Sequence, residues 1–360
     1  MIAGTLGRYF AWRFFKTIAG VFAGVFLLIY AIDVVETLRR AGETPGAVAP
    51  LMAWLSLLHT PIVAEQALPF AVLFGAMIAF LNLSRRLELV VARSAGVSVW
   101  QFLAPPVFVA AAIGVAVTCM YNPVSTTMKR QADRIEAKLF VGAAASPKAG
   151  VWLRQKSVDG ESVLHADGRD ERAATLVHVQ VFSFDRDGAF AERIDAESAT
   201  LEDGYWRLTE AKVVTPGFDT LSTGVYLLAT TLGRSDVAQA FDSPETVSFW
   251  ALPDLAEQMR RAGLDPAGYR LRYQELLAQP LMLVAMVVVA ACFSLRFFRM
   301  GGVQKMVSGG VAAGFVLYVA TKLVNDLGAA GMFSAAVAGW SPAVVGCLFG
   351  VYVLLHQEDG

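Results

Sequence analysis

Three charged constellations contain the residues of this chain best suited to bind or transmit something. The stretch Ser84–Gly96, SRRLELVVARSAG, places Leu87, Val90, Val91 and Ser94 on one helical face, with Arg85 and Glu88 off it and Gly96 as a stop. A short amphipathic helix of this kind can seat its apolar face in a partner's groove. An ordinary basic loop that sets membrane orientation reads equally well. Arg39-Arg40 follow an apolar run. Guanidinium groups donate bidentate hydrogen bonds to phosphate, so this pair suits a phosphorylated lipid head group. The alternative is pairing with Asp33 and Glu36 at helical spacing, or snorkelling. Lys322 precedes Asn325 and Asp326. It either faces an anionic substrate or closes an i, i+4 pair with Asp326, and the pair is preferred.

None of these is a catalytic set. The chain has no G-x-x-x-x-G-K-[ST], no G-x-S-x-G and no H-E-x-x-H, and Gly301-Gly302-Val303-Gln304-Lys305 lacks phosphate-loop spacing. Cys119, Cys292 and Cys347 lie inside apolar runs and the four histidines are scattered, so no metal cluster is expected. A net charge of −1 gives no nucleic-acid signal. The reading is a non-catalytic chain without a cofactor.

The groups must be positioned by apolar helices. The chain is 56% hydrophobic and 17% charged, against about 25% charged in soluble domains. Its mean hydropathy is +0.51. Six runs are long enough to span a bilayer, at about 17–36, 61–82, 99–121, 274–295, 306–323 and 334–355. The first, Thr17 to Ile32, follows basic residues as a secretory signal would, but no small-x-small cleavage site succeeds it, so it is retained. Residues 47–81 would make a helix of roughly 50 Å against a hydrocarbon core of about 30 Å. They are therefore split at Pro61, with 47–59 lying along the membrane surface.

Basic residues cluster at Arg8, Arg13 and Lys16, at Arg85, Arg86 and Arg93, and at Arg296, Arg299 and Lys305, while 324–333 has none. That bias puts both termini in the cytoplasm and residues 122–273 outside, in a bacterium the periplasm. Arg39-Arg40, at the outer end of the first span, run against the bias.

The 122–273 segment reads as β. Four Asp-Gly pairs, Asp159-Gly160, Asp167-Gly168, Asp187-Gly188 and Asp203-Gly204, mark hairpins. Val177, Val179 and Val181 alternate with His178, Gln180 and Phe182, and Tyr205–Leu208 follows a turn as another strand. Short strands at this spacing suggest a sandwich or jelly roll. Residues 253–263 read as a helix closed by Gly263, and a further helix from about 266 runs into the fourth span. The fold class is thus membrane α-helical, six transmembrane helices with an inserted periplasmic all-β, jelly-roll-like domain. The division is 1–121 for spans one to three with a coupling helix at 84–95, 122–273 for the β domain and its short helices, and 274–360 for spans four to six.

On this layout the whole chain resembles the LptF/LptG (YjgP/YjgQ) family, the membrane subunits of the lipopolysaccharide-export ABC transporter. The resemblance rests on Leu6–Tyr9, the exit Glu36-Thr-Leu-Arg-Arg-Ala-Gly42, Ser84–Gly96 with Glu-Leu-Val-Val at 88–91, Gly263–Arg270, and Gln279-Pro280. The exit and the 88–91 stretch look more like the LptG branch. The resemblance implies a heterodimer with an LptF-like permease subunit, two LptB-like ATPase subunits, and LptC-like and LptA-like periplasmic bridge proteins, in the bacterial inner membrane. It implies that Arg39 and Arg40 contact the lipopolysaccharide head group, to which Lys322 is added on weaker grounds. It implies that the 84–95 helix docks on the ATPase through Glu88, with Arg85, Leu89 and Arg93 beside it. Other readings are a membrane-anchored periplasmic adaptor without transport, a lipoprotein-exporter permease, for which four spans would be typical, and a secondary transporter, which would show an inverted repeat or a mid-membrane carboxylate cluster.

Overall fold

The computed structural model of the chain describes residues 4–42, 48–88, 91, 94, 96, 98–139, 151–157, 160–170, 175–185, 189–231, 233, 244–261, 266–298 and 303–358. Among the described residues, six helices are long and apolar enough to cross a membrane. They are α1 (Thr5–Ala41), α2 (Ala49–Arg85), α3 (Val99–Ala116), α6 (Ala267–Phe298), α7 (Val303–Ala329) and α8 (Ala335–Glu358). Between α3 and α6 come a π turn (Val117–Tyr121), α4 (Asn122–Leu139), six strands and α5 (Leu252–Arg261). The chain divides into two compact units. One comprises Met1–Glu136, Ser248–Trp250 and Arg270–Gly360, the other Ala137–Val247 and Ala251–Tyr269.

In the helical unit, most of the apolar stretch of α2 and of α6 is buried, whereas almost none of that of α1 or α7 is. Phe10, Phe14 and Ile18 form the inward stripe of α1, at the i, i+4 spacing that puts residues on one helical face. Phe14 meets Phe80 edge to face at 4.7 Å. A Cβ on Gly75 of α2 would stand 2.7 Å from the Cα of Ile18, and one on Gly114 of α3 would collide with the backbone of Pro280 in α6. Small residues at these crossings let helix backbones approach closely.

Two expectations about the helices need correction. Pro61 does not divide residues 47–81; α2 is one 37-residue helix with Pro61 and Pro69 inside it. At about 1.5 Å per residue it reaches about 55 Å, well beyond a hydrocarbon core of about 30 Å. The surplus at its N-terminal end is packed rather than laid flat. Leu55 and Leu58 meet Ala132, Met128 and Ile135 of α4, Ser56 donates to Thr37 at 3.1 Å, and His59 lies 3.1 Å from Asp33. The β segment also does not begin at residue 122, because helix continues to Leu139 and the first described strand starts at Val151.

The strands β1 (Val151–Ser157), β2 (Gly160–Asp170), β3 (Thr175–Phe184), β4 (Phe190–Glu202), β5 (Tyr205–Val214) and β6 (Leu221–Ala229) form one antiparallel sheet in sequential order. The described strands are therefore an up-and-down meander, without the crossovers of a Greek key. Gln155 on β1 is fully buried. It donates to Ser162 Oγ at 3.0 Å and to the Ala229 carbonyl at the end of β6 at 3.3 Å. It accepts from Trp206 Nε1 at 3.2 Å and from Thr230 Oγ1 at 2.6 Å. Side-chain hydrogen bonds thus link the first strand to the end of the last at this point, and Leu164, Val181, Ile194, Trp206 and Leu208 are all fully buried.

Of the four Asp-Gly pairs, Asp203-Gly204 makes the β4–β5 turn, with Gly204 at φ +87°. Gly160, also at positive φ, opens β2. Asp167-Gly168 lies within β2, where Gly168 pairs with Val177, and Asp187-Gly188 lies outside the described residues. The simple alternation expected in β3 also fails. Val179 and Val181 are fully buried, but Val177 is 36% exposed and Leu176 takes the inner place. His178, at φ +51°, is the residue at which the phase slips. The α5 helix is described as Leu252–Arg261, with Gly263 outside the described residues, and α6 does run from 267 into the fourth span.

The Gly114–Pro280 crossing gives a direct test. Gly114→Ala is expected to destabilise the chain by about 1–3 kcal/mol through overpacking. Gly24→Ala, which meets open space, should leave the midpoint of detergent thermal unfolding unchanged.

Candidate functional site

The loop after α2 is built by a backbone reversal. Arg86 N donates to Asn82 O and Leu87 N to Ser84 O, then Leu87 takes φ +60° and a new turn begins, with Val91 N on Leu87 O at 2.9 Å. A left-handed leucine is a strained conformation. Among the described residues 88, 91 and 94 are helical, and Gly96 is left-handed at φ +83°, as a C-terminal stop requires. Leu87 is 58% and Val91 64% exposed. Arg85 is exposed too, while Leu89 and Arg93 lie outside the described residues.

Glu88 is not free. Arg13 of α1 donates to its Oε1 at 2.8 Å, and Tyr9 approaches the same oxygen at 3.5 Å. Arg13 also donates to Tyr9 Oη at 2.6 Å and lies 5.6 Å from the centre of that ring. Both members of the ion pair are largely sheltered, with side chains 19% and 27% exposed. In the sequence Arg13 carried only an orientation signal.

At the other end of α1, Arg39 and Arg40 converge on Glu36. Arg39 makes a fork to it at 2.9 and 2.8 Å, and Arg40 reaches it at 3.1 Å. Arg40 also stands 3.9 Å from Glu136 of α4. Both arginine side chains remain mostly exposed. Asp33, the other expected partner, is turned to His59.

Lys322 makes the preferred i, i+4 pair with Asp326 at 3.7 Å, and both are exposed. It lies at a different level from the arginines. Gly310, Gly314 and Tyr318 of α7 pack on Met77, Leu73 and Phe70 of α2 in antiparallel steps, which carries Lys322 to the level of Glu65-Gln66. Thr37 sits at Ser56. Nine or ten residues of α2 separate the levels by about 15 Å.

Sequence reading missed a buried polar node. Glu65, 4% exposed in the middle of an apolar run, accepts from Asn122 Nδ2 and Ser125 Oγ, each at 2.9 Å, and from Arg272 at 3.1 Å. Arg272 also reaches Glu275 at 3.3 Å. Asn122 Oδ1 in turn accepts from Phe249 N at 2.9 Å. A carboxylate inside an apolar run was the available signal, since such a group needs a partner. What the sequence hid was which partner, 207 residues away.

Six long apolar helices around a buried Glu65–Arg272 pair, with a β unit inserted between the third and fourth, define a multi-pass membrane protein. The family model described as lipopolysaccharide export system permease LptF/LptG matches residues 8–356. The lipopolysaccharide export system permease protein LptG of Haemophilus influenzae is 24% identical over 347 residues, covering 89% of this chain and 90% of that protein. The chain belongs to the LptF/LptG family of lipopolysaccharide export permeases and is LptG-like within it.

The node makes a stability prediction. Breaking a buried ion pair from one side costs about 3–5 kcal/mol, so Glu65→Ala should lower the unfolding midpoint strongly. Glu65→Gln keeps one acceptor oxygen, for Asn122 or for Ser125 but not both, and should lower it less. Equal midpoints for the two variants would show that the hydrogen bonds contribute nothing.

Proposed function

We propose that this chain is one half of a two-permease transporter that lifts lipopolysaccharide from the outer leaflet of a bacterial inner membrane. An LptF-like subunit is the other half. Two LptB-like ATPase subunits supply energy, and LptC-like and LptA-like bridge proteins receive the lipid. The observation that carries the reading is the family match over nearly the whole chain.

The distribution of charge and exposure supports its details. The basic-residue bias assigns the Arg13–Glu88 end to the cytoplasm and the β unit to the periplasm. There Leu87 and Val91 offer an exposed apolar face to the ATPase. The exposed faces of α1 (Leu27, Leu28, Ile32) and α7 (Phe315, Val316, Leu323) would line an apolar chamber with the counterpart subunit. Such a chamber suits acyl chains, and Arg39 and Arg40 at its outer rim suit phosphorylated sugar. Lys322, about 15 Å deeper along α2, would meet a different part of the ligand or none. The β unit has a filled inner face, so its contribution is assigned to its edge. Strand β6, with Leu221, Val225 and Leu227 exposed, can take an added strand from a neighbouring β domain.

Purification of the chain with its counterpart should bring down an ATPase, and Leu87→Asp or Val91→Asp should lose it while the two permeases stay together. Photocrosslinkers at positions 39 and 40 should yield lipopolysaccharide adducts. A chain that purifies with no nucleotide hydrolase under any condition, and gives no such adduct, does not perform this function.

A further inference from the structure

The docking segment is joined to α2 by a poor mechanical connection. The helix ends at Arg85 and the backbone reverses at Leu87 before a new turn starts. A force applied to residues 88–96 is therefore not carried along a continuous helix into α2. The segment has a second attachment, the sheltered 2.8 Å pair between Glu88 and Arg13. Arg13 is itself held by Tyr9 one turn earlier, through a 2.6 Å hydrogen bond. Both belong to α1, an unbroken helix of 37 residues that ends in Arg39 and Arg40. Its neighbours on the same turns, Phe10 and Phe14, are buried in the core, so the Tyr9–Arg13 stripe is fixed in direction. Beyond Ile18 α1 is mostly exposed, with Leu27, Leu28, Ile32 and Val35 all more than 60% accessible. A helix packed along one side, with its other side open in this way, can transmit a tilt.

We propose that Arg13 is a positioning residue that couples the docking segment to α1, through its ion pair with Glu88 in the same chain. The role of Glu88 is then divided. It borders the surface offered to the partner, and it hands the partner's movement to the span that carries the basic rim. This rests on the transporter reading above, and it adds the route by which the motion leaves the docking segment.

The test uses the complete transporter in proteoliposomes. It records three quantities: retention of the ATPase, ATP hydrolysis, and lipopolysaccharide released to an acceptor per ATP consumed. Arg13→Gln is expected to retain the ATPase and lower release per ATP by about tenfold, within the usual range of coupling effects. Glu88→Arg alone should also lower release per ATP, and because Glu88 borders the docking surface its ATPase retention is read separately. The exchange Arg13→Glu with Glu88→Arg restores the ion pair with reversed polarity, and release per ATP should recover to near the original value.

Recovery cannot come from a contact between Glu88 and the ATPase, because the charge facing the ATPase is then inverted. If the exchanged protein retains the ATPase but stays uncoupled, the link is refuted, and likewise if Arg13→Gln transports normally. Where Arg13→Gln fails to accumulate in the membrane, the exchange alone decides, since it accumulates and transports only if the two positions need each other. Failure of the broader reading looks different, because the unmodified complex would then neither hold an ATPase nor release lipid.

Discussion

A backbone carbonyl inside a membrane has no water to bond with, and that constraint organises the helical unit. Proline has no N–H, so each internal proline deprives the carbonyl four residues earlier of its donor. Pro280 leaves the Leu276 carbonyl open, and Thr118 Oγ1 of the π turn donates to it at 2.9 Å. Pro123 leaves the Cys119 carbonyl open, and Trp250 Nε1 donates to it at 3.2 Å. The Pro61 carbonyl takes the hydroxyl of Tyr121 at 2.9 Å. Pro280 and Pro123 therefore act as attachment points between the α3–α4 helix, α6 and the 248–250 segment, where in water they would be breaks.

The same constraint explains the π turn. The bond from Asn122 N to Val117 O spans one residue more than an α turn, which rotates everything after it relative to α3. Before the turn and at its start, Gly114 and Thr118 face α6. After it, Asn122 and Ser125 face Glu65 on α2, and Ala132 faces Leu55 and Leu58. One continuous helix can thus satisfy a backbone carbonyl on one neighbour and a buried carboxylate on another. Such turns recur where a helix must serve two partners, and they carry no local sequence pattern.

This marks where the sequence stopped being legible. Six spans followed from hydropathy alone, because length and apolarity are one-dimensional properties. The continuity of α2 did not, because its surplus length is held by other helices, through Leu55, Leu58 and Ser56. The ends of α1 were partly legible. An i, i+3 or i, i+4 pairing of Arg39 and Arg40 with Glu36 is a local matter and was foreseen, as was Lys322 with Asp326. The Arg13–Glu88 pair joins residues 75 apart and needs the fold. In the sheet, Asp203-Gly204 was readable as a turn because the requirement is local. The phase slips were not. Buried positions run 194, 196, 199, 201 in β4 and 206, 208, 211, 213 in β5, and the left-handed residues His178 and Glu210 belong to the slips in β3 and β5. Val177 pairs with Ser198, and Ser198 with Thr209, so the slips fall in register across three strands. Only a sheet that bends as a whole makes that arrangement favourable.

The uneven burial of the spans separates support from movement. The elements α2, α3 and α6 are joined by the Gly114–Pro280 crossing, the hydrogen bond at the Pro280-freed carbonyl and the Glu65–Arg272 pair, each of which would be broken by sliding one helix past another. Packed cores resist small displacements, so these three serve as the frame. The inward stripe of α1 is concentrated in Phe10, Phe14 and Ile18, with a close crossing at Gly75. Toward its far end the contacts include hydrogen bonds, through Thr37–Ser56 and Asp33–His59. Each such hydrogen bond contributes only about 1 kcal/mol net, less than burial of a large apolar side chain such as those near the start of α1. The helix is therefore anchored where it meets Glu88 and freer where it carries Arg39 and Arg40, which is the asymmetry a lever requires.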